Sequence, residues 1–333
     1  MSASPPRIAI AIPAHDEEAL IGRCLDAFAT QSEAGEVTVV VLANNCSDGT
    51  SAEARRACGF DIRVIDHTFP PGERDAGHAR RLAVEHAAAL GDIVLTTDAD
   101  CVPDPDWVAA HRRAFALGVD MVAGRVSADW EELRHHPAEA LRIGALEWEY
   151  LGLMASAEAL FDPRPHDPAP RHAQCCGANL GITSAMLRRV GGVPAVAVGE
   201  DWALLAAVDQ VDGRIRFDPG PHVTASARTS GRADGGMANS LAARMSDDYL
   251  SDEQFAPADD LVFRWRSRAA ARQAWSLGQD TFSIDGSQVP LDRALPTFGA
   301  AWGAVHLPPP RRQRPATLPR ETKRLRELMR RDG

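Results

Sequence analysis

The sequence predicts an α/β fold, a largely parallel sheet with helices on both faces. Three observations carry that expectation. Short β-branched runs alternate with helical patterns between residues 8 and 123, at the spacing of βαβ units. Several of those runs are almost wholly apolar, as strands covered on both faces are. The chain has 333 residues, 45% apolar and 25% charged, enough for a large core without staples.

Ile8–Ile12 reads as the first strand, followed by helical residues 17–29. Val37–Leu42 is the second strand, 50–58 a helix, and Ile62–Ile65 a short third strand. Residues 76–90 are Ala-rich and helical, with Gly91 as the expected C-cap. Ile93–Thr97 is a fourth strand, 106–117 a helix opened by Pro105 and Asp106, and Val119–Ala123 a fifth strand. Beyond it, 137–160 predicts a long helix and the four-proline segment 161–172 a mobile loop. Residues 174–190 read as strand then helix, 201–208 as a helix and Ile215–Phe217 as a strand. From 234 the sheet signal fades; 237–249 and 260–277 look helical, and a Pro-rich break at 308–310 precedes a basic tail. No repeat of fixed period is visible.

Charge and composition exclude several functions. The net charge is −10, and a general nucleic-acid binder needs a basic face. Segment 311–331 holds nine Lys and Arg against Glu321 and Glu327, a local +7 that leaves −17 for the rest. It reads as a solvated helix end or as a contact for an anionic lipid or phosphorylated acceptor; it lacks a strong apolar face. Lys323 is the one lysine, so no Schiff-base or P-loop lysine exists elsewhere. Six cysteines show no CxxC spacing, and the adjacent Cys175 and Cys176 make a poor zinc bite even with His166 and His172 nearby. Reduced thiols suit a cytoplasmic protein, with peripheral membrane contact left open. The N-terminal stretch is too short and interrupted for a signal peptide, and no run of about 18 apolar residues could span a membrane.

In a doubly covered sheet, ligands gather outside the carboxyl ends of the strands. After the first strand come Pro13, Ala14, His15, Asp16, Glu17 and Glu18; acids there either complement a helix dipole or hold a polar ring. No G-x-G-x-x-G follows, which argues against a dinucleotide-binding oxidoreductase. After the second strand, Asn44 to Thr50 favours a turn in which Ser47 or Asp48 caps the next helix, while an Asn amide suits the edge of a nucleobase. After the fourth strand, Asp98 and Asp100 repel unless a cation or donors lie between them, and such oxygen donors suit Mg²⁺ or Mn²⁺. Glu200 and Asp201 open a later helix, as dipole complement or as a general base; Trp202 packs locally or offers a sugar-stacking face.

Taken together, these residues resemble the family 2 glycosyltransferases of GT-A fold. The markers are I-P-A-x-[ND]-E-E at 12–18, N-x-S-D-G-T at 45–50, T-D-A-D at 97–100 and E-D at 200–201. GHARRLAVEHA at 77–87 and GANLGITSAMLRRVGG at 177–192 are similar to two further family segments, and the whole covers roughly 7–230. The resemblance implies a GT-A mixed sheet, Rossmann-like and flanked by helices, over 1–230, with a helical extension carrying the basic tail over 231–333. It implies that Pro13, Ala14, Glu17 and Asn44 surround the base and ribose and that Asp48 belongs to the substrate-binding set. Arg80 would approach the phosphates, Asp98 would bind ribose or support the metal, and Asp100 would ligate Mn²⁺ or Mg²⁺. His222 stands where some members place a histidine ligand. Asp201 would be the base of an inverting transfer, with Glu200 beside it and Trp202 at the substrate. The donor would be a UDP- or GDP-sugar and the acceptor a hydroxyl of unknown identity. Ala43 and Asn44 replace the family's frequent aspartates, so the base is left undecided. A nucleotidyltransferase and a non-catalytic nucleotide-sugar-binding relative are the alternatives; the former would need a basic, Gly-rich loop where this chain has HDEE.

Overall fold

A computed structural model describes residues 5–31, 34–228, 243–244, 246 and 248–332. The chain divides into two compact units. The first comprises Met1–Arg134, Gln174–Val208 and Arg214–Ser240, and the second His135–Ala173, Asp209–Gly213 and Leu241–Gly333.

The first unit is built on an eight-stranded sheet. Its strands are β1 (Ile8–Ala14), β2 (Val37–Asn44), β3 (Asp61–His67), β4 (Ile93–Thr96), β5 (Cys101–Pro103), β6 (Met121–Ala128), β7 (Leu180–Thr183) and β8 (Ile215–Ala225), in the order β3-β2-β1-β4-β7-β6-β8-β5. β3, β2, β1 and β4 are parallel, as the alternation predicts. β7 runs antiparallel to both β4 and β6, and β5 antiparallel to β8, so the sheet is mixed, as the GT-A resemblance implies. β7 enters after the excursion through 135–173, and no βαβ crossover fixes its direction.

The helices of this unit are α1 (Ile21–Ala29), α2 (Thr50–Ala54), α3 (Ala76–Ala88), α4 (Trp107–Phe115) and α5 (Trp130–Leu133). After α6 (Ala138–Phe161), which lies in the second unit, come α7 (Ser184–Arg189) and α8 (Glu200–Gln210). The helix expected from residue 17 starts at Ile21; Glu17 instead closes a turn whose carbonyl accepts from Leu20 and Ile21. Asp75 caps α3 by accepting from the His78 amide at 2.9 Å, worth about 1 kcal/mol. Gly91 is not a left-handed cap. A Cβ there would stand 2.7 Å from the Ala9 nitrogen, so the residue is glycine because the chain runs against β1.

β1 and β2 are buried on both faces, and the core closes on Phe28, Trp107 and Leu25 from the helices. Asn179, fully buried, ties three elements to the sheet. Its Oδ1 accepts from Trp107 Nε1 at 2.9 Å, and its Nδ2 donates to the carbonyls of Arg125 and Pro221. Gly124 leaves room for that amide, which a Cβ would meet at 2.4 Å. In register, Ala14 faces Ala43 and Ala11 faces Thr96, so the loops after β1, β2 and β4 leave the sheet at one edge.

The second unit packs α6, α9 (Ala258–Ser276), α10 (Phe298–Gly303) and α11 (Leu318–Asp332) with a hairpin of β9 (Thr281–Ile284) and β10 (Ser287–Pro290). The hairpin corrects the expectation that sheet ends before 234. Its turn is Asp285-Gly286, both at positive φ, a pairing that favours tight hairpins. The helix expected at 237–249 lies largely outside the described residues. The 161–172 segment is tied down rather than loose. Arg171 donates to Asp167 and Glu158, both at 2.8 Å, and Arg164 reaches Glu158 at 3.0 Å. The basic tail has the apolar face that the sequence did not reveal: Leu318, Leu325 and Leu328 of α11 are buried against Tyr150 and Leu261. Its arginines meet acids, Arg324 with Asp259 at 2.7 Å, Arg311 with Asp260 at 2.8 Å and Arg326 with Glu149 at 2.9 Å. Among the described residues no helix is long and apolar enough to cross a membrane.

Candidate active site

The edge at which β1, β2 and β4 end gathers most of the residues singled out in the sequence. β4 stops at Thr96, and the backbone turns tightly, Cys101 N donating to the Asp98 carbonyl at 3.1 Å. That turn brings carboxylate oxygens of Asp98 and Asp100 and the Cys101 sulfur within 4.8 Å of one another. Burial, then the neighbouring charge of Asp98, pushes the Asp100 carboxyl up to about 6, while Arg228 works the other way. Burial pushes the Cys101 thiol far up, so it stays protonated.

Arg80, on α3, lies under this turn with its side chain 7% exposed. Each of its three nitrogens donates to the protein. Nη2 donates to Asp98 at 2.7 Å, Nε to Glu200 at 2.8 Å and Nη1 to the Gly177 carbonyl at 2.9 Å. Burial opposes its charge, but Asp98 and Glu200 more than offset that and raise its pKa. Arg80 therefore braces the site from within, each of its three nitrogens donating to a protein group. Gly177 is the joint. Its carbonyl also accepts from Thr96 Oγ1 at 2.6 Å, and its amide donates to Asp201 at 3.0 Å. A Cβ on Gly177 would lie 2.5 Å from Arg80 Cζ, so glycine is required.

Asp201, in the first turn of α8, also accepts from the Trp202 amide at 2.7 Å. Burial raises its pKa despite those donors. Glu200 is buried on Arg80, and the Trp202 ring is 43% exposed beside them. Asp98, Glu200 and Asp201 are thus joined by one guanidinium and one glycine.

Glu17, buried, meets Arg228, which the sequence did not single out. Arg228 donates in a fork to both Glu17 oxygens, one at 2.7 Å, and lies 3.1 Å from Asp100. The backbone before it is fixed: Glu132 accepts from Ser226 Oγ at 2.6 Å and from the Ala227 amide at 2.8 Å, while Ser226 N donates to the Asp100 carbonyl at 3.1 Å. The chain distance between Arg228 and its partners hid this pairing; an arginine three residues beyond the last strand was the available clue.

His222 is not with the aspartates. Its Nδ1 is 2.9 Å from Asp104 and its Nε2 2.9 Å from Ser127 Oγ, a polar link between β8 and neighbouring segments. Asp48 is spent on its own turn, accepting from the amides of Thr50 at 3.0 Å and Glu18 at 3.1 Å. Asn44 ends β2 with its carbonyl 2.9 Å from His15 Nδ1, and Pro13 and Ala14 end β1 beside it. His15, Asp16 and Cys46 group nearby, with Asp16 held by the Ser47 amide at 2.7 Å.

Two hard carboxylates beside a protonated thiol fit a divalent ion such as Mg²⁺ or Mn²⁺ and not a soft one.

The known proteins that this chain is similar to bear on its family and its fold. Residues 5–233 match the family model described as glycosyltransferase-like family 2. Glycosyltransferase AglE of Haloferax volcanii is 28% identical over 129 residues, 38% of this chain and 41% of that protein. Probable glycosyltransferase YdaM of Bacillus subtilis is 25% identical over 220 residues, 64% of this chain and 49% of its own length. The chain thus spans between two fifths and half of these relatives. Among solved structures, the mannosyltransferase PcManGT from Pyrobaculum calidifontis, in complex with GDP-Man and Mn²⁺, aligns with a TM-score of 0.52 at 20% identity over 73% of this chain and 61% of that one. S. aureus TarS 1-349, in complex with UDP-GlcNAc, aligns with a TM-score of 0.50 at 14% identity over 87% of this chain and 98% of that one. Both share the GT-A fold.

Proposed function

The chain belongs to glycosyltransferase-like family 2, and from that premise we propose that it moves a sugar from a UDP- or GDP-sugar to a hydroxyl acceptor with inversion at the anomeric carbon. The observation that supports this most is the single brace by which Arg80 and Gly177 hold Asp98 and Asp201 at one strand edge. Proteins of the same fold carry GDP-Man with Mn²⁺ or UDP-GlcNAc, the donor class proposed here.

Asp98 and Asp100 would hold a divalent ion, which when bound supplies positive charge to the departing diphosphate. Asp201 is the general base. In the transfer the acceptor oxygen bonds to the anomeric carbon, the bond from that carbon to the diphosphate oxygen breaks, and the acceptor proton passes to an Asp201 oxygen. Burial raises the Asp201 pKa, which makes it a better proton acceptor than a solvated carboxylate. The Gly177 and Trp202 amides fix its orientation, so little reorganisation is needed when the acceptor docks. Trp202 offers an exposed face on which a sugar ring can stack. Glu200 neutralises Arg80 and keeps that guanidinium on Asp98. Asn44, Pro13 and Ala14 border the nucleoside, and Asp48 shapes its loop.

The test is a panel of UDP- and GDP-sugars, with and without Mn²⁺, read as thermal shift and as release of nucleoside diphosphate. A donor that raises the melting temperature and is hydrolysed or transferred supports the proposal. Binding without turnover for every donor and acceptor favours a non-catalytic relative, and no binding at all refutes the proposal.

A further inference from the structure

The two arginines at the acidic edge are not equivalent. Arg80 is buried, with its three donating nitrogens divided between Glu200, Gly177 and Asp98. It cannot leave without stranding a buried charge. Arg228 has a side chain 24% exposed and spends its fork on carboxylates alone, Glu17 and Asp100. The two residues before it, Ser226 and Ala227, are held by Glu132 and the Asp100 carbonyl, and its own amide donates to Ser226 Oγ at 3.3 Å, so its long side chain can swing from an anchored base.

These facts bear on how a cation enters. The oxygens that Arg228 takes, one of them on Asp100, belong to the carboxylate group that would hold a divalent ion. Two cations cannot share those oxygens within a few ångströms in a half-buried site, where charges interact strongly. We propose that Arg228 is the resident counter-ion of this site and exchanges with the divalent ion, so that metal entry and release of Glu17 and Asp100 by Arg228 are one event. The inference rests on the metal reading of the proposed function. It deepens that reading by giving Glu17 two states: clamped by Arg228 before the ion enters, and open to the donor's ribose hydroxyls afterwards. Arg228 is accordingly a positioning residue, acting through Glu17 and Asp100.

The experiment is a titration of the full chain with Mn²⁺ in the absence of nucleotide, followed by the electron paramagnetic resonance signal of the free ion. Wild type, Arg228→Gln and Arg228→Lys are compared, each with its thermal melt to show that it is folded. Removing the competing charge should tighten Mn²⁺ binding in Arg228→Gln by about tenfold or more, a conservative figure for a unit charge at this range. Arg228→Lys, which keeps the charge, should stay near wild type. Equal or weaker binding in folded Arg228→Gln overturns the proposal, as does Arg228→Lys behaving like Arg228→Gln. If no variant depletes free Mn²⁺ and transfer runs in a chelator, the metal reading falls and this inference with it. If all bind alike, only the inference falls.

Discussion

Arg80 donates to Asp98 at 2.7 Å from a side chain that is itself buried, and the same guanidinium reaches Glu200 on a different helix. The sheet edge proposed for the donor is therefore mechanically continuous with the helix end proposed for the acceptor. A charge held so completely by protein groups contributes geometry rather than surplus stability.

Replacing Arg80 exposes that role. Arg80→Gln leaves the buried Glu200 and the part-exposed Asp98 without their donor and should cost up to about 3–5 kcal/mol, the range for breaking a buried pair. Arg80→Lys restores the charge but not the fork, so it should recover part of the melting temperature and little of the transfer rate. Melting temperatures of both variants within a degree of wild type would contradict the brace.

Gly177→Ala places a methyl 2.5 Å from Arg80 Cζ, in a guanidinium fixed by three bonds. The expected cost is about 1–3 kcal/mol, as for overpacking elsewhere. The amide to Asp201 should shift with it, so kcat should fall more than donor affinity. Steady-state kinetics on the purified variant decides this.

Asp100 gives a pH signature. Its folded pKa, about 6, lies above the ordinary 3.8, so the folded state holds the proton more tightly than the unfolded chain. The stabilising contribution of that proton is complete below about pH 4 and is lost as pH rises through 6. At pH 8 without divalent ions, Asp100→Asn should therefore melt higher than wild type, by at most about 3 kcal/mol. The gap should close near pH 4, where both side chains are neutral. A difference independent of pH would contradict the cause assigned to the shift.

His222→Ala separates a structural histidine from a ligand. It removes the contacts to Asp104 and Ser127 and should cost about 1–2 kcal/mol of stability. Mn²⁺ affinity should not change. A loss of metal binding in the folded variant would restore His222 to the ligand set.

Much of this was legible before the fold was known. β1, β2, β3 and β4 announced themselves as apolar runs, and Asp98, Asp100 and Asp201 by their places just after strands or at a helix start. What stayed hidden was side-chain commitment. Arg80 shares a motif with phosphate-contacting arginines, but its motif does not tell that Glu200 and Gly177 will take its donors. Arg228 lies more than two hundred positions from Glu17, and no local pattern encodes that pair. His222 is a case of the same kind: the family resemblance offered it as a ligand, and nothing local in the sequence tells that Asp104 and Ser127, far apart along the chain, lie against its two ring nitrogens. Cys101–Pro103 is too short for periodicity, and the Asp285-Gly286 turn was readable but lay where helices dominated.

The most direct measurement compares Asp201→Asn with wild type in donor binding and in transfer. The variant keeps the size of the side chain and its place beside the Gly177 and Trp202 amides but cannot accept a proton. Nucleotide-sugar affinity should stay close to wild type while kcat falls by about 10²–10⁴, the usual share of a general base. In wild type, kcat should decline as pH drops through the raised pKa of Asp201, at a pH above that of an ordinary solvated carboxylate. Transfer by folded Asp201→Asn at the wild-type rate would contradict the assignment of that carboxylate as the base.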